Sequence, residues 1–367
     1  MLAPPPLPAS ASAPRAGARA AGTWLAAAAV ALLALFPVLV ARPYPLHMGV
    51  VLFLAVLEAA AWNLVGGIAG QYSVGHAVYF GAGAYAAVML LERLGIAPWW
   101  GIWAAALCAV LLGLVVGTIT LRLRGPYFVL ASIAAAEVAR LAVLHFRAFT
   151  HGAQGFVVAE PPVLRLPGLS LTFDGKRPFY YLTLALAVLA VAVNRAVLRS
   201  RLGYQLLAVR EDQDAAHSLG IRLSLVKNQA LAISAALTGV AGAVFAGYSR
   251  FIDPDTVFSL TDVSVPMVLY CLAGGAGTVE GPVVGALLLV PVSEALRNPR
   301  GLVSLGLLPA GSGVVGFVER HLSQAHQLVY GLLLVLIVLF APEGVAGLLR
   351  RLLRRSRARP RPAPPPA

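Results

Sequence analysis

The chain has 367 residues, 59% of them hydrophobic and 12% charged, with a mean hydropathy of +0.82. Soluble domains carry about 25% charged residues, so this composition excludes a soluble protein and indicates an integral membrane protein surrounded by lipid. The net charge of +13 does not point to nucleic acid, because the cations gather in short segments beside apolar runs, where they act as topology signals.

Residues 1–23 are rich in Pro and Ala, hold only Arg15 and Arg19 as charges, and are expected to form a disordered tail. The run 24–41 is longer than a signal-peptide core and is expected to remain as the first helix. Further apolar segments lie near 48–65, 76–91, 99–121, 126–146, 179–198, 230–250, 263–273, 278–296 and 326–341, which predicts about ten spans, with a range of 8–10. Residues 263–296 allow either one kinked helix or two short helices folded back at GGAGT. The loop 195–227 and the tail RRLLRRSRARPR are both rich in Arg, and the positive-inside rule wants both in the cytoplasm. Two crossings in 263–296 satisfy that and leave both termini cytoplasmic. Ten spans split five and five make any internal repeat inverted, a common transporter layout. The expected fold is therefore an all-α polytopic transmembrane helical bundle. Its membrane domain covers 24–349 with a cytoplasmic loop at 199–229, and an Arg/Pro-rich cytoplasmic tail follows at 350–367.

The two lysines, Lys176 and Lys227, do not stand in a phosphate-binding GxxxxGK[ST] loop, so ATP hydrolysis by that route is excluded for this sequence. No HExxH, GxSxG or paired-cysteine pattern occurs, so no catalytic or metal site is expected and the chain is not read as an enzyme. Cys108 and Cys271 lie far apart within apolar runs and suggest no disulfide framework. Gly277, Gly281 and Gly285 recur every four residues and, if helical, give one small-residue packing face; Gly113 and Gly117 do likewise.

The stretch NLVGGIAGQYSVGHAVYFGAGAY, residues 63–85, places Gly66, Gly67, Gly70, Gly75 and Gly81 among Asn63, Gln71, Ser73 and His76. That composition is unsuited to a uniform lipid-facing helix, and irregular backbone at membrane depth needs protein or a watery cavity around it. Asn63, Gln71, Ser73, Gly75 and His76 are therefore candidates for lining a translocation pathway, the alternative being an ordinary turn between spans two and three. Three ionisable groups fall within spans, Glu58, Glu137 and Arg140. A mid-membrane charge costs about 2.5–3.5 kcal/mol, so such groups pair or face the bundle interior. Glu137 and Arg140, three apart, suit either a structural pair or a proton relay in a gradient-driven carrier.

Between two apolar runs lies LLAVREDQDAAHSLGIRLSLVK, residues 206–227, and from Gln205 to Leu219 it contains no Pro or Gly. One helix is expected there, with Leu202, Leu206, Val209, Ala216 and Gly220 on a narrow face and Glu211, Asp212 and Asp214 away from it. Such a helix needs a surface to bury its stripe, and anionic lipid would repel its acids, which favours a protein partner over a lipid surface.

The run LGYQLLAVREDQDAAHSLGIRLSLVKNQALAISAALTGVAGAVFAGY resembles the cytoplasmic loop and following helix of the branched-chain amino acid ABC-importer permeases of the LivM type. GGIAGQYSVGHAVYFGAGAY, GGAGTVEGPVVGALLL and YGLLLVLIVLFAPEGVAGLLRR are similar to further blocks of that family, in the same order, over residues 45 to 350. The resemblance implies a coupling helix that docks on an ATPase, with Ala215, Ala216, Gly220 and Ile221 at the matching positions. It also implies inverted halves, a second homologous permease in a heterodimer, two cytoplasmic ABC ATPase subunits that bind the ATP, an extracytoplasmic solute-binding protein and a bacterial inner-membrane location. No cofactor is implied for this chain. Related importers carry urea or amides as well as amino acids. Glu280 and the insert from Gly301 to Gln324 depart from the family pattern.

Overall fold

The structure, a computed structural model, describes residues 16–40, 42–95, 98–158, 163–166, 169–173 and 175–298, with isolated positions between 328 and 347. Residues 1–42 form one unit and residue 43 onward a second. The first unit holds helix α1, Ala16–Leu39. It begins inside the stretch expected to be a tail, where Ala supplies the highest intrinsic helix propensity.

The second unit is built from helices that overlap the apolar segments of the sequence, with ends displaced by up to seven residues where the helix from Leu223 begins ahead of the run at 230. These are α2 (Pro43–Trp62), α3 (Ala77–Leu94), α4 (Pro98–Thr120), α5 (Pro126–His145), α7 (Lys176–Arg199) and α10 (Leu223–Ser249). Shorter helices are α6 (Arg147–Thr150), α8 (Arg201–Glu211), α9 (Gln213–Ser218), α11 (Pro254–Val257), α12 (Val265–Gly274) and α13 (Gly281–Arg297). Among the described residues six helices are long and apolar enough to cross a membrane, and Ala27–Leu39 and Leu260–Gly274 are shorter apolar helices. The expected span at 326–341 lies outside the described residues except for isolated helical positions.

Small residues set the packing at the centre. A methyl group on Gly83 of α3 would fall 2.2 Å from the Gly239 carbonyl oxygen of α10, and one on Gly242 would fall 2.0 Å from that of Phe80. On the other side of α10, a methyl on Gly113 of α4 would meet Ala235 at 3.0 Å. Close backbone approach of this kind replaces the hydrophobic drive that lipid cannot supply between helices. The outer face of α4 carries Trp103, Leu107, Leu111, Val115 and Ile119, all exposed at steps of four, an apolar stripe suited to lipid or a membrane neighbour.

Residues 263–296 resolve into two helices. α12 ends at Gly274, the chain turns through Gly275 and Gly277 with φ of 119° and 78°, and α13 returns from Gly281. This corrects the small-residue face: Gly277 is a turn residue in the left-handed region, outside the helix. Gly281 and Gly285 do face a neighbouring backbone, since a methyl on Gly285 would lie 1.7 Å from the Tyr270 carbonyl oxygen.

Strands tie the loops at one end of the bundle. β1 (Phe156–Val157) pairs antiparallel with β4 (Phe251–Ile252), so the connection after α5 meets the connection after α10. A separate hairpin joins β2 (Val163–Leu166) to β3 (Leu169–Thr172). At the opposite end Arg124, between α4 and α5, pairs with Asp214 of α9 at 2.8 Å. The expected helix from 205 to 219 is in fact two. α8 stops at Glu211, and Asp212 leaves helical geometry (φ −153°, ψ 116°) and caps α9 by accepting from the Asp214 and Ala215 N–H groups.

Candidate functional site

A cavity of about 1090 Å³ opens among α2, α10, α12 and α13. Along α2 it is lined by His47, Val50, Val51, Leu54, Ala55 and Glu58, residues spaced at three and one so that they share one face of the helix. At 1.5 Å per residue, His47 and Glu58 stand about 16 Å apart along the axis. Phe80, Phe245, Leu269 and Val290 add apolar wall.

Charge gathers at the His47 end. The His47 Nδ1 lies 2.6 Å from the Tyr248 hydroxyl, its Nε2 lies 3.8 Å from Glu294, and Arg297 lies 3.8 Å from Asp262. All five residues line the cavity, and they mark its mouth at the end away from α8 and α9. Glu58 lies deeper, and no hydrogen bond or ion pair joins it to another described residue. Apart from Glu58, these groups were not singled out from the sequence; the spacing of His47, Leu54 and Glu58 is the signal that points to them.

Beyond Glu58, α2 passes into a π-helical turn, Asn63–Ile68, and the chain leaves helical geometry until α3. Asn63 is fully buried and uses every hydrogen-bonding position of its amide. Its Nδ2 donates to Asn194 Oδ1 and to the Thr278 carbonyl, each at 2.9 Å. Its Oδ1 accepts from the Gly277 N–H at 2.8 Å and the Cys271 thiol at 3.1 Å. Asn194 in turn donates to the Ala60 and Ala190 carbonyls. The junction thus joins α2, α7, α12 and the turn before α13. Arg210 of α8 reaches it, donating to the Gly67 carbonyl at 3.0 Å.

The rest of the break is pinned to other helices. The Trp62 indole donates to the Ser73 carbonyl at 2.6 Å, and the Val74 N–H donates to Ser132 Oγ of α5 at 3.0 Å. His76, fully buried, stands 3.0 Å from both Ser73 Oγ and Ser234 Oγ. Ser234 Oγ already donates to the Ala61 carbonyl at 2.6 Å, so it accepts from Nε2–H, and Nδ1 accepts from Ser73. Gly75 fits against α5, where a methyl would meet the Ser132 carbonyl at 2.0 Å. Gln71 is buried and donates to the Ala69 carbonyl. None of Asn63, Gln71, Ser73, Gly75 and His76 is among the described residues that line the large cavity.

At the α8–α9 end Leu206, Val209 and Ala216 are buried in the bundle, whereas Glu211, Asp212, Asp214, Ala215 and Gly220 are exposed and Ile221 is half-buried. Gly220 terminates α9 with φ 84°. Leu219, 82% exposed, is the most open large apolar side chain among the described residues, and Leu225 at 51% stands near it in sequence. The hydrogen bond and charge of Arg124 hold the Asp214 carboxyl below its ordinary range. At the other end Arg140 pairs with Glu137 at 2.6 Å and with Asp255 at 2.5 Å, so the intramembrane pair joins α5 to α11. Among the described residues no group of three or more His, Cys, Asp or Glu is placed to hold a metal ion.

Comparison with known proteins adds sequence relationships to this geometry. Residues 44–339 match the family described as "Branched-chain amino acid transport system / permease component". The chain is 27% identical over 347 residues to the high-affinity branched-chain amino acid transport system permease protein LivM of Escherichia coli K12, covering 88% of this chain and 76% of that protein. LivM of Salmonella typhimurium LT2 is 26% identical over the same shares. The autoinducer 2 import system permease protein LsrC of Salmonella paratyphi B is 29% identical over 151 residues, 37% of this chain and 43% of its own.

Proposed function

Since the chain belongs to the family of branched-chain amino acid transport system permease components, we propose that it is the membrane subunit of an ATP-driven importer for branched-chain amino acids or similar small amphipathic solutes. Two ABC ATPases supply the energy at the α8–α9 end, which is cytoplasmic in this reading. A solute-binding protein delivers at the cavity mouth, and a second, homologous permease completes the translocation unit in the bacterial inner membrane. Both chain termini lie in the cytoplasm.

The observation that carries the proposal is the Arg210 bond to Gly67. α8 belongs to the segment that meets the ATPase, and Gly67 belongs to the junction that lies between the cavity and that segment. Movement of α8 is therefore transmitted to the cavity floor through one charge-assisted hydrogen bond and the Asn63 network. The two glycine-rich breaks, one after α2 and one between α12 and α13, meet at Asn63, in keeping with transporters whose discontinuous helices converge near the bilayer midplane. The cavity walls are mainly apolar, as a branched aliphatic solute requires. Asn63, Gln71, Ser73, Gly75 and His76 then act as the closed inner gate rather than as an open wall.

A proton-coupled carrier fits the geometry less well. Glu137 is committed to Arg140, which also pairs with Asp255, and no hydrogen bond or ion pair between described residues links these groups to Glu58. The test is uptake by the chain reconstituted with its ATPases and binding protein. Leucine uptake that requires ATP supports the proposal; uptake driven by a pH gradient alone, abolished in Glu137→Gln, overturns it.

A further inference from the structure

We infer that Glu58 binds the ammonium group of the transported solute, which makes the deep end of the cavity a site for small aliphatic primary ammonium compounds, amino-acid zwitterions included. This rests on the permease reading above and assigns the solute contact within it.

Glu58 sits fifteen positions into α2, one face with Leu54 and Ala55, and opens into the cavity. An acid at that depth costs a few kcal/mol in a membrane protein, a cost normally offset by a paired cation or a wet cavity. The other charged groups on the wall have partners: His47 with Tyr248 and Glu294, and Asp262 with Arg297. No described group pairs with Glu58. A small cation arriving in the cavity meets a carboxylate that no described group engages, with Leu54 and Leu269 also on the cavity wall for an aliphatic chain. The solute carboxylate then points away from Glu58, toward the mouth where Arg297 stands. The floor below is the Asn63 junction, whose opening toward α8 would release the bound solute.

Three probes separate the groups of the ligand: leucine, isoamylamine, which keeps the ammonium and the branched chain, and 4-methylpentanoate, which keeps the carboxylate and the branched chain. The full-length chain in lipid nanodiscs is examined by ligand-observed saturation-transfer NMR. The wild-type chain is expected to give methyl signal from leucine that isoamylamine displaces and 4-methylpentanoate does not. Glu58→Gln is expected to weaken leucine about tenfold, the loss of one charge-assisted hydrogen bond, while Glu58→Asp restores most of it. Because the glutamine removes a buried charge, the variant is expected to fold at least as well as the wild type, which a purely structural glutamate would not allow. Displacement by the acid as good as by the amine, no transfer at all to the wild-type chain, or equal affinity in Glu58→Gln overturns the inference. ATP-dependent uptake with an unchanged leucine KM in Glu58→Gln removes this site and leaves the permease reading standing.

Discussion

Asn63 shows what a single polar residue does in a bundle without a hydrophobic drive. Its four hydrogen bonds reach three segments, α7 at Asn194, α12 at Cys271 and the turn at Gly277 and Thr278, so it fixes the relative placement of helices far apart in sequence. Replacing it with Leu leaves the Gly277 N–H and Asn194 Oδ1 buried without partners, and the expected cost is about 1–3 kcal/mol. Gly67→Ala is expected to act in the same direction, because the added methyl would lie 2.0 Å from Asn63 Oδ1 and 2.4 Å from the Gly277 nitrogen. Thermal unfolding of detergent-purified protein measures both, and an unfolding temperature equal to wild type in both variants would remove the junction as a structural hub. The polar residues at 63–76 were conspicuous in the sequence because they interrupt an apolar run with glycine. Their partners were not, since Ser132, Asn194, Ser234 and Thr278 stand in ordinary surroundings and only folding brings them there. The same limit applies to the mouth: His47 and Glu294 become meaningful when α2 and α13 place them 3.8 Å apart.

The elements were legible where hydrophobic periodicity is long, and less so where capping decides. α2, α4, α5, α7 and α10 follow the apolar runs closely, because a span of that length satisfies its own backbone within lipid. The stretch from Gln205 to Leu219 reads as one helix, since neither Pro nor Gly interrupts it. Asp212 ends it instead, by offering its side chain to the N–H groups of the next helix. Asp212→Ala is expected to destabilise α9 by about 1 kcal/mol, detectable as faster amide exchange in 213–218 with α8 unchanged. The break also alters which substitutions probe the ATPase contact. Ala216 is 2% exposed, so Ala216→Glu would disturb the bundle itself, whereas Leu219→Glu alters only the exposed surface. Leu219→Glu is expected to lose co-purification of the ATPase while the permease remains folded; full retention would place the ATPase elsewhere. The Arg124 pair adds a pH dependence of its own to α9. With the Asp214 carboxyl held below 3.8, its contribution is complete above that value and is lost as pH falls through the lowered one. ATPase association lost between pH 8 and 5 therefore cannot come from this pair.

At the scale of the molecule the two ends differ in kind. One end has the strand pair β1–β4, the Arg140 pairs and the cavity mouth; the other has α8, α9 and Arg124. Between them stands the Asn63 junction, the closed inner gate in the permease reading. Alternating access demands a second conformation in which the junction separates and the mouth shuts. The interactions at the two levels suit that exchange. The mouth is held by the His47–Glu294 and Asp262–Arg297 pairs at 3.8 Å, long for ion pairs, while the junction is held by hydrogen bonds of 2.8 to 3.1 Å. In the permease reading, ATP-driven closure of the ATPases acts on the inner contacts through Arg210. Two single-cysteine variants in a background with Cys108 and Cys271 replaced by Ala report on this: Leu54→Cys on the cavity wall and Leu219→Cys on α9. In oriented vesicles without nucleotide, a membrane-impermeant thiol reagent is expected to label Leu54→Cys from the extracytoplasmic side only and Leu219→Cys from the cytoplasmic side only. With the ATPases trapped in their ATP-bound form, labelling of Leu54→Cys from the extracytoplasmic side should change, and Arg210→Ala should abolish that change while leaving ATPase binding intact. Labelling of both positions from the same side reverses the assignment of the ends, and a nucleotide response that survives Arg210→Ala places the mechanical link somewhere other than Gly67.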